Sequence, residues 1–406
     1  MAKPFSGQLS AERKIAFERL GIPSTNRLIL TLDGGGMRGI LTIQLLKQLE
    51  AVAGIPCYQL FDMVAGTSTG GIIAGLIVTG HSAAEIEKMY EELVAQVFEH
   101  RMFGARFINP PAYTKAHYRK LLRDVVGDLT IQQACERTQT DLLITAKDMS
   151  AAEETFFTCF CDDNAQYSGT YKDVLLRAVM EATMSAPTYF YPLERFVDGG
   201  TTTYNNPSLA ALMEAVSYSR TDKDFTKSDY QLTHITLFSF GTGVARQFIK
   251  PESTVDLKGI DLKFWLNWLM TETGQDASAM QIDTLRSPMF TPLVDYRRFQ
   301  ISLDPEAIKK LPNIDGLNEK KYGSKWLHDL TEEVLRNIDM ADISRFDLMR
   351  LIGQQMATFI MDSGNGFKAD LVYEKRRRDI LVTAFGDIVR IKKQMSTVEW
   401  LDEFIA

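Results

Sequence analysis

Two apolar runs in the first part of the chain each end in a glycine-rich loop and resume as an apolar helical pattern. One is "RLILTLDGGGMRGI" (27–40), the other "LFDMVAGTSTGGIIAGLIV" (60–78). A continuous apolar run marks a strand buried on both faces, as in a parallel sheet covered by helices. Parallel neighbours need a long crossover, usually helical, so strand–loop–helix written twice points to a layered α/β architecture with a mainly parallel sheet. "DLLITA" (141–146), "TFFTCF" (155–160) and "ITLFSF" (235–240) read as further strands among helical patterns. Ligands bind such folds at the carboxyl ends of the strands, where both glycine loops belong.

Three segments follow from this patterning. Residues 1–26 read as a polar lead-in with one short helix, "SAERKIAFERLG", closed by Gly21 and Pro23. Residues 27–243 carry the strand–helix alternation; there Leu41, Leu45, Leu49 and Val52 repeat at helical spacing before Gly54 and Pro56. Residues 244–406 are a mostly helical extension expected to pack on the core, with one strand candidate at "YRRFQISL" (296–303).

Composition narrows the function classes. Of 406 residues, 45% are apolar and 24% charged, and the net charge of -7 argues against nucleic acid as a bulk partner. Four cysteines form no disulfide framework in a chain this long, and no Cys/His spacing resembles a zinc site. Cys159 and Cys161 alternate along the expected strand, point to one face and read as unbridged thiols. The opening residues lack the apolar core of a secretion signal. The longest apolar stretch, "GGIIAGLIVTG", falls short of the about 20 residues that span a bilayer. The expectation is a cytoplasmic protein.

Gly34, Gly36 and Gly39 satisfy G-x-G-x-x-G between a strand and a helix, the dinucleotide fingerprint in its proper setting. That fingerprint also needs an acidic residue at the exit of the next strand, to hold a ribose hydroxyl. Here the next strand exits into "AGTSTGG". Gly66-Thr67-Ser68-Thr69-Gly70 is instead G-x-S-x-G between an apolar strand and an apolar helix, the arrangement of a nucleophile elbow. The two loops explain each other. A serine attacking an ester creates an oxyanion about 3 Å away, and amides of a side-chain-free loop at a helix start can receive it. On this reading Gly34, Gly35 and Gly36 receive a transition-state oxygen, and a dinucleotide-binding oxidoreductase is the outside alternative.

A serine hydroxyl needs a base. His81, His100 and His117 lie in polar, solvated-looking stretches; His234 starts a strand, and His328 sits in "KWLHDL". None occupies a loop suited to a triad. Asp198 in "FVDGGTTTYNNP" follows a short apolar run and precedes Gly199 and Gly200, so its carboxylate could enter a crowded site. Taken alone, Asp-Gly-Gly is more often a turn, and both sources of a base stay open at this level.

Five blocks together resemble the patatin-like phospholipase family: "DGGGMRGI" (33–40), "GTSTGG" (66–71), "ATMSAPTYFYP" (182–192), "DGGTTTYNNP" (198–207) and "SFGTG" (239–243). The resemblance implies a three-layer α/β/α sandwich and a Ser–Asp dyad, with Ser68 as nucleophile and Asp198 as base. It also implies an oxyanion loop of Gly34, Gly35 and Gly36 with Arg38 nearby. The elbow and base loops would be supported by Gly66, Gly70, Gly199 and Gly200. The implied reaction is hydrolysis of fatty-acyl esters of phospholipids through an acyl-serine, without metal or cofactor, at a transient membrane contact. "LKFWLNWLM" (262–270) and the basic "EKRRRD" (374–379) are candidates for that contact, a packed helix and a solvated face being the plainer alternatives. Some bacterial members are phospholipases activated by cyclic nucleotides in anti-phage defence, which adds a cyclic-nucleotide activator to the expectations. Homo-oligomerisation and a catalytically inactive binding module stay open.

Overall fold

A computed structural model describes residues 9–98, 113–160, 171–218, 230–244, 262–309, 311–312, 331, 334–335, 338–368 and 371–373; at 218, 262–271, 306, 309 and 371–373 it describes the backbone alone. The chain divides into two units, Met1–Val372 and Tyr373–Ala406. Beyond the backbone of Tyr373, the second lies outside the described residues.

In chain order the first unit runs α1 (Ala11–Leu20), β1 (Arg27–Leu32), α2 (Gly39–Ala53), α3 (Cys57–Leu60), β2 (Met63–Thr67) and α4 (Thr69–Val78). Then come α5 (Ala83–Phe98), α6 (Ala116–Val126), α7 (Ile131–Thr138), β3 (Asp141–Asp148), β4 (Glu153–Thr158), α8 (Leu176–Thr183) and β5 (Phe196–Asp198). α9 (Ser208–Tyr218), β6 (Ile235–Phe240), α10 (Leu262–Leu285), β7 (Val294–Ile301), α11 (Pro305–Lys309) and α12 (Phe346–Asp362) follow. Helix ends obey the local chemistry. The Ser10 hydroxyl oxygen accepts the Arg13 amide at 3.2 Å to open α1, and Gly21, left-handed at φ 59°, closes it.

The central strands lie in the order β4-β3-β2-β1-β6-β7, with β5 also paired to β3. The β3–β2, β2–β1, β1–β6 and β6–β7 pairs are parallel; β4 and β5 run antiparallel to β3. Every residue of β1, β2 and β6 is buried, which is why these strands read as unbroken apolar runs. One sheet face presents Ile29, Met63, Ala65, Leu143, Ile235 and Leu237 to Ala211, Leu212 and Ala215 of α9 and to Ile282 and Leu285 of α10. On the other face α4 packs on β1, β2 and β3, its Gly71 against Ile144. α12 packs in turn on α2, with Gly353 over the Leu41 backbone. Helix, sheet and helix make the three-layer α/β/α sandwich expected from the sequence.

Several strand limits differ from the sequence reading, β3 by running two residues longer, to Asp148. Leu60 ends α3 and the second strand starts at Met63, because Asp62 turns inward as an anchor for Arg13 (2.6 Å) and Arg27 (3.0 Å). β4 stops at Thr158, leaving Cys159 past its end; Cys161 lies outside the described residues. Cys57, Cys135 and Cys159 are free thiols. The expected strand at 296–303 runs from 294 to 301 as β7, which adds to the sheet beside β6. The side chains of "LKFWLNWLM" and all of "EKRRRD" lie outside the described residues. Among the described residues, no helix is long and apolar enough to cross a membrane.

Candidate active site

β2 ends at Thr67 and α4 starts at Thr69, leaving Ser68 alone to reverse the chain. Its backbone sits at φ 54°, ψ -124°. An L-residue there costs on the order of 1–3 kcal/mol and persists only where the surroundings over-determine it. They do so here. A Cβ on Gly66 would enter the Gly70 carbonyl, and one on Gly70 would enter the Leu32 and Asp33 carbonyls, so two backbones cross where side chains are missing. The Ser68 amide donates to Thr183 Oγ1 at 2.7 Å, whose hydroxyl donates to the Thr145 carbonyl at 2.7 Å.

β5 pairs with β3 so that Asp198 stands opposite Ala146, near the carboxyl end of the sheet. The Ser68 hydroxyl donates to Asp198 Oδ2 at 2.7 Å. Asp198 Oδ1 accepts the Gly200 amide at 2.7 Å, while the Asp198 amide donates to the Ser185 carbonyl at 3.1 Å. Both side chains are buried, Ser68 to 7% exposure and Asp198 to 4%. Burial pushes the Asp198 carboxyl up to about 6, opposed by the Gly200 amide and the Ser68 hydroxyl. Gly199 rests on the Thr145 carbonyl. No histidine among the described residues bonds to Ser68 or Asp198; His100 and His328 lie outside them.

The glycine loop follows β1 at the same edge. Its peptide groups can be accounted for one by one. The Gly34 amide donates to the Asn205 carbonyl (3.1 Å), and the Gly34 carbonyl accepts from Thr242 Oγ1 (2.9 Å). The Gly35 amide donates to Thr69 Oγ1 (3.2 Å), and the Gly35 carbonyl accepts from the Arg38 amide (3.2 Å) and Nε (3.3 Å). The Gly36 carbonyl accepts from the Tyr90 hydroxyl, and the next amide, Met37, donates to the Met340 carbonyl at 2.8 Å. The Gly36 amide alone of these has no hydrogen-bond partner among the described residues. Gly36 has φ 56°, and a Cβ there would strike Met340. A Cβ on Gly34 would crowd Ser68 Cβ at 3.1 Å, so this loop lies directly against the serine.

Arg38, expected beside an oxyanion, turns back onto the loop: Nε lies on the Gly35 carbonyl, and Nη1 is 3.5 Å from the Gly243 carbonyl. Burial lowers its affinity for its proton. Asp33, at the root of the loop, is buried against Arg298 of β7. Behind Asp198, Lys115 Nζ donates to Ser185 Oγ at 2.6 Å and lies 3.3 Å from Glu181, which Arg119 grips at 2.8 and 2.6 Å. Tyr90, Lys115, Arg298 and Met340 are not among the site residues expected from the sequence, and Thr183 figures there only within the block 182–192. Arg298 carries a signal of its own, as a charged residue within a strand pattern, since a charge buried in a sheet demands a partner. Among the described residues, no cluster of three or more His, Cys, Asp or Glu could hold a metal ion.

Comparison with known proteins gives a family for part of the chain. Residues 30–212 match the family model described as patatin-like phospholipase, and that segment belongs to the family. The chain is 32% identical over 227 residues to the 85/88 kDa calcium-independent phospholipase A2 of Mus musculus, covering 52% of this chain and 27% of that one. It is 29% identical over 326 residues to the cUMP-AMP-activated phospholipase of Escherichia coli, covering 76% of this chain and 92% of that one. It is 30% identical over 227 residues to the cGAMP-activated phospholipase of Escherichia coli (strain TW11681), covering 51% and 61%. The match thus spans about a quarter of the mouse enzyme and nearly all of the cUMP-AMP-activated one.

Proposed function

We propose that this protein is a lipid acyl hydrolase of phospholipase A type, working through Ser68 and Asp198. The observation that carries the reading is the 2.7 Å hydrogen bond from a strained elbow serine to a buried carboxylate. Asp198 takes the Ser68 proton as Oγ attacks the acyl carbonyl. The Gly36 amide, with Gly35 once its bond to Thr69 is exchanged, receives the oxygen that becomes negative. Collapse releases the lysolipid, protonated by Asp198, and leaves an acyl-serine. Asp198 then deprotonates water, which frees the fatty acid and restores the serine.

Raising the carboxyl to about 6 suits this double duty, since at neutral pH Asp198 is mostly ionised yet more basic than an exposed aspartate. Labelling with a fluorophosphonate tests the reading: the wild type should react at Ser68, and Ser68→Ala and Asp198→Ala should neither label nor release fatty acid from phospholipid vesicles. Full hydrolysis by Ser68→Ala would sink it.

A cyclic-nucleotide-activated effector in bacterial anti-phage defence is the more particular form of the proposal. Its support is the relative named for cUMP-AMP activation, matched over 92% of its length. The substrate would then be membrane phospholipid reached by peripheral contact from the cytoplasm. Vesicle hydrolysis with and without cUMP-AMP, cGAMP and related cyclic nucleotides decides it; equal rates throughout would remove the activator while leaving the hydrolase.

A further inference from the structure

β7 lies two strands from the one that feeds the glycine loop, yet one of its side chains reaches the root of that loop. Arg298 stands in register with Ser239 of β6, and Ser239 with Thr31 of β1. Along this row the guanidinium crosses β6. Nη1 donates to Ser239 Oγ at 2.7 Å and to Asp33 Oδ1 at 2.8 Å, and Nη2 donates to Asp33 Oδ2 at 2.5 Å. Arg298 is fully buried and Asp33 is 5% exposed. The Asp33 amide is also fixed, on the Phe240 carbonyl at 3.0 Å. Gly34 follows directly.

A buried ion pair is an inefficient way to stabilise a fold. Desolvating two charges offsets their attraction, and apolar side chains of similar volume often do as well or better. Its geometry is a different matter, because a planar fork on a carboxylate constrains orientation as a point charge cannot. The residue constrained here is the one from which the Gly34, Gly35 and Gly36 amides hang.

We propose that Arg298 is a positioning residue for acyl transfer: through the Asp33 carboxylate it aims the Gly34–Gly36 loop at the oxygen that gains charge. The proposal rests on Ser68 and Asp198 forming the hydrolytic dyad, and its test separates the two ideas.

Arg298→Lys keeps the charge and loses the fork. On a soluble p-nitrophenyl acyl ester its kcat should fall at least about tenfold with KM within about twofold, and fluorophosphonate labelling should slow in proportion. Asp33→Asn/Arg298→Met removes both charges, so no lone ion is left buried. It should melt within a few degrees of wild type and label as slowly as Arg298→Lys. Wild-type labelling rates in either folded variant overturn the proposal. Unfolding of the double variant overturns it too, because the pair would then hold the fold rather than aim the loop. Ser68→Ala is the separate arm: a labelled Ser68→Ala protein refutes the dyad, whatever the Arg298 variants do.

Discussion

Asp198→Asn should stabilise the protein while abolishing its activity, and the gain should depend on pH in a defined way. The carboxyl moves from its ordinary 3.8 to about 6 on folding, chiefly through burial. A folded-state value above the unfolded one means the group favours folding only while protonated. Its contribution is fully present below about pH 4, falls as pH rises through the window to about 6, and is absent above it. Carrying the carboxyl from 3.8 to about 6 corresponds to about 3 kcal/mol of native-state cost at pH 8. Asparagine keeps the shape and an oxygen for the Gly200 amide but has no charge to desolvate. Denaturant unfolding of both proteins should give coincident midpoints near pH 4, and at pH 8 the variant should be more stable by up to about 3 kcal/mol. A pH-independent difference, or a less stable variant at pH 8, would refute the assignment of a buried, ionised carboxylate.

The other expectations concern the same edge. The kcat/KM profile should rise with an apparent pKa near 6, standing at pH 5 about tenfold below its plateau; a flat profile from pH 5 to 8 would exclude Asp198 as the base. Ser68→Gly removes the side chain from its positive-φ site and should raise stability by on the order of 1 kcal/mol, read by thermal melting, while activity is lost. Gly70→Ala drives a Cβ into the Leu32 and Asp33 carbonyls; it should cost at least about 2 kcal/mol by the same measurement. Tyr90→Phe leaves the buried Gly36 carbonyl without its hydroxyl donor. Steady-state kinetics should show kcat lowered about tenfold, as expected for losing about 1–2 kcal/mol of loop order.

The fold was legible where the physics is local. β1 and β6 could be bounded to the residue because their burial on both faces leaves an uninterrupted apolar word. The apolar pattern of the second strand starts three residues before the strand itself, because Leu60 and Phe61 are as apolar as a strand and nothing local shows that Asp62 bonds Arg13 and Arg27. Ser68 is legible because a tight turn leaves Gly66 and Gly70 on its two sides; Asp198, with glycines only after it, stands out through the five blocks taken together. What holds the glycine loop is not legible. Tyr90 looks like one apolar position of an amphipathic helix, and the part played by Met340 is a backbone carbonyl, which has no letter of its own. Such contacts are decided by tertiary packing between segments far apart in sequence.

The Met340 carbonyl on the Met37 amide bears on how this protein can be taken apart. A gene fragment stopping at residue 243 would encode every signature block, yet it would lack a stretch that pins the first turn behind the glycines. Grafting the recognisable portion onto another scaffold, or trimming the chain to a minimal hydrolase, should therefore yield a nucleophile beside an ill-set cradle. On the proposed function, the boundary of a working hydrolase would lie well downstream of the boundary of its motifs.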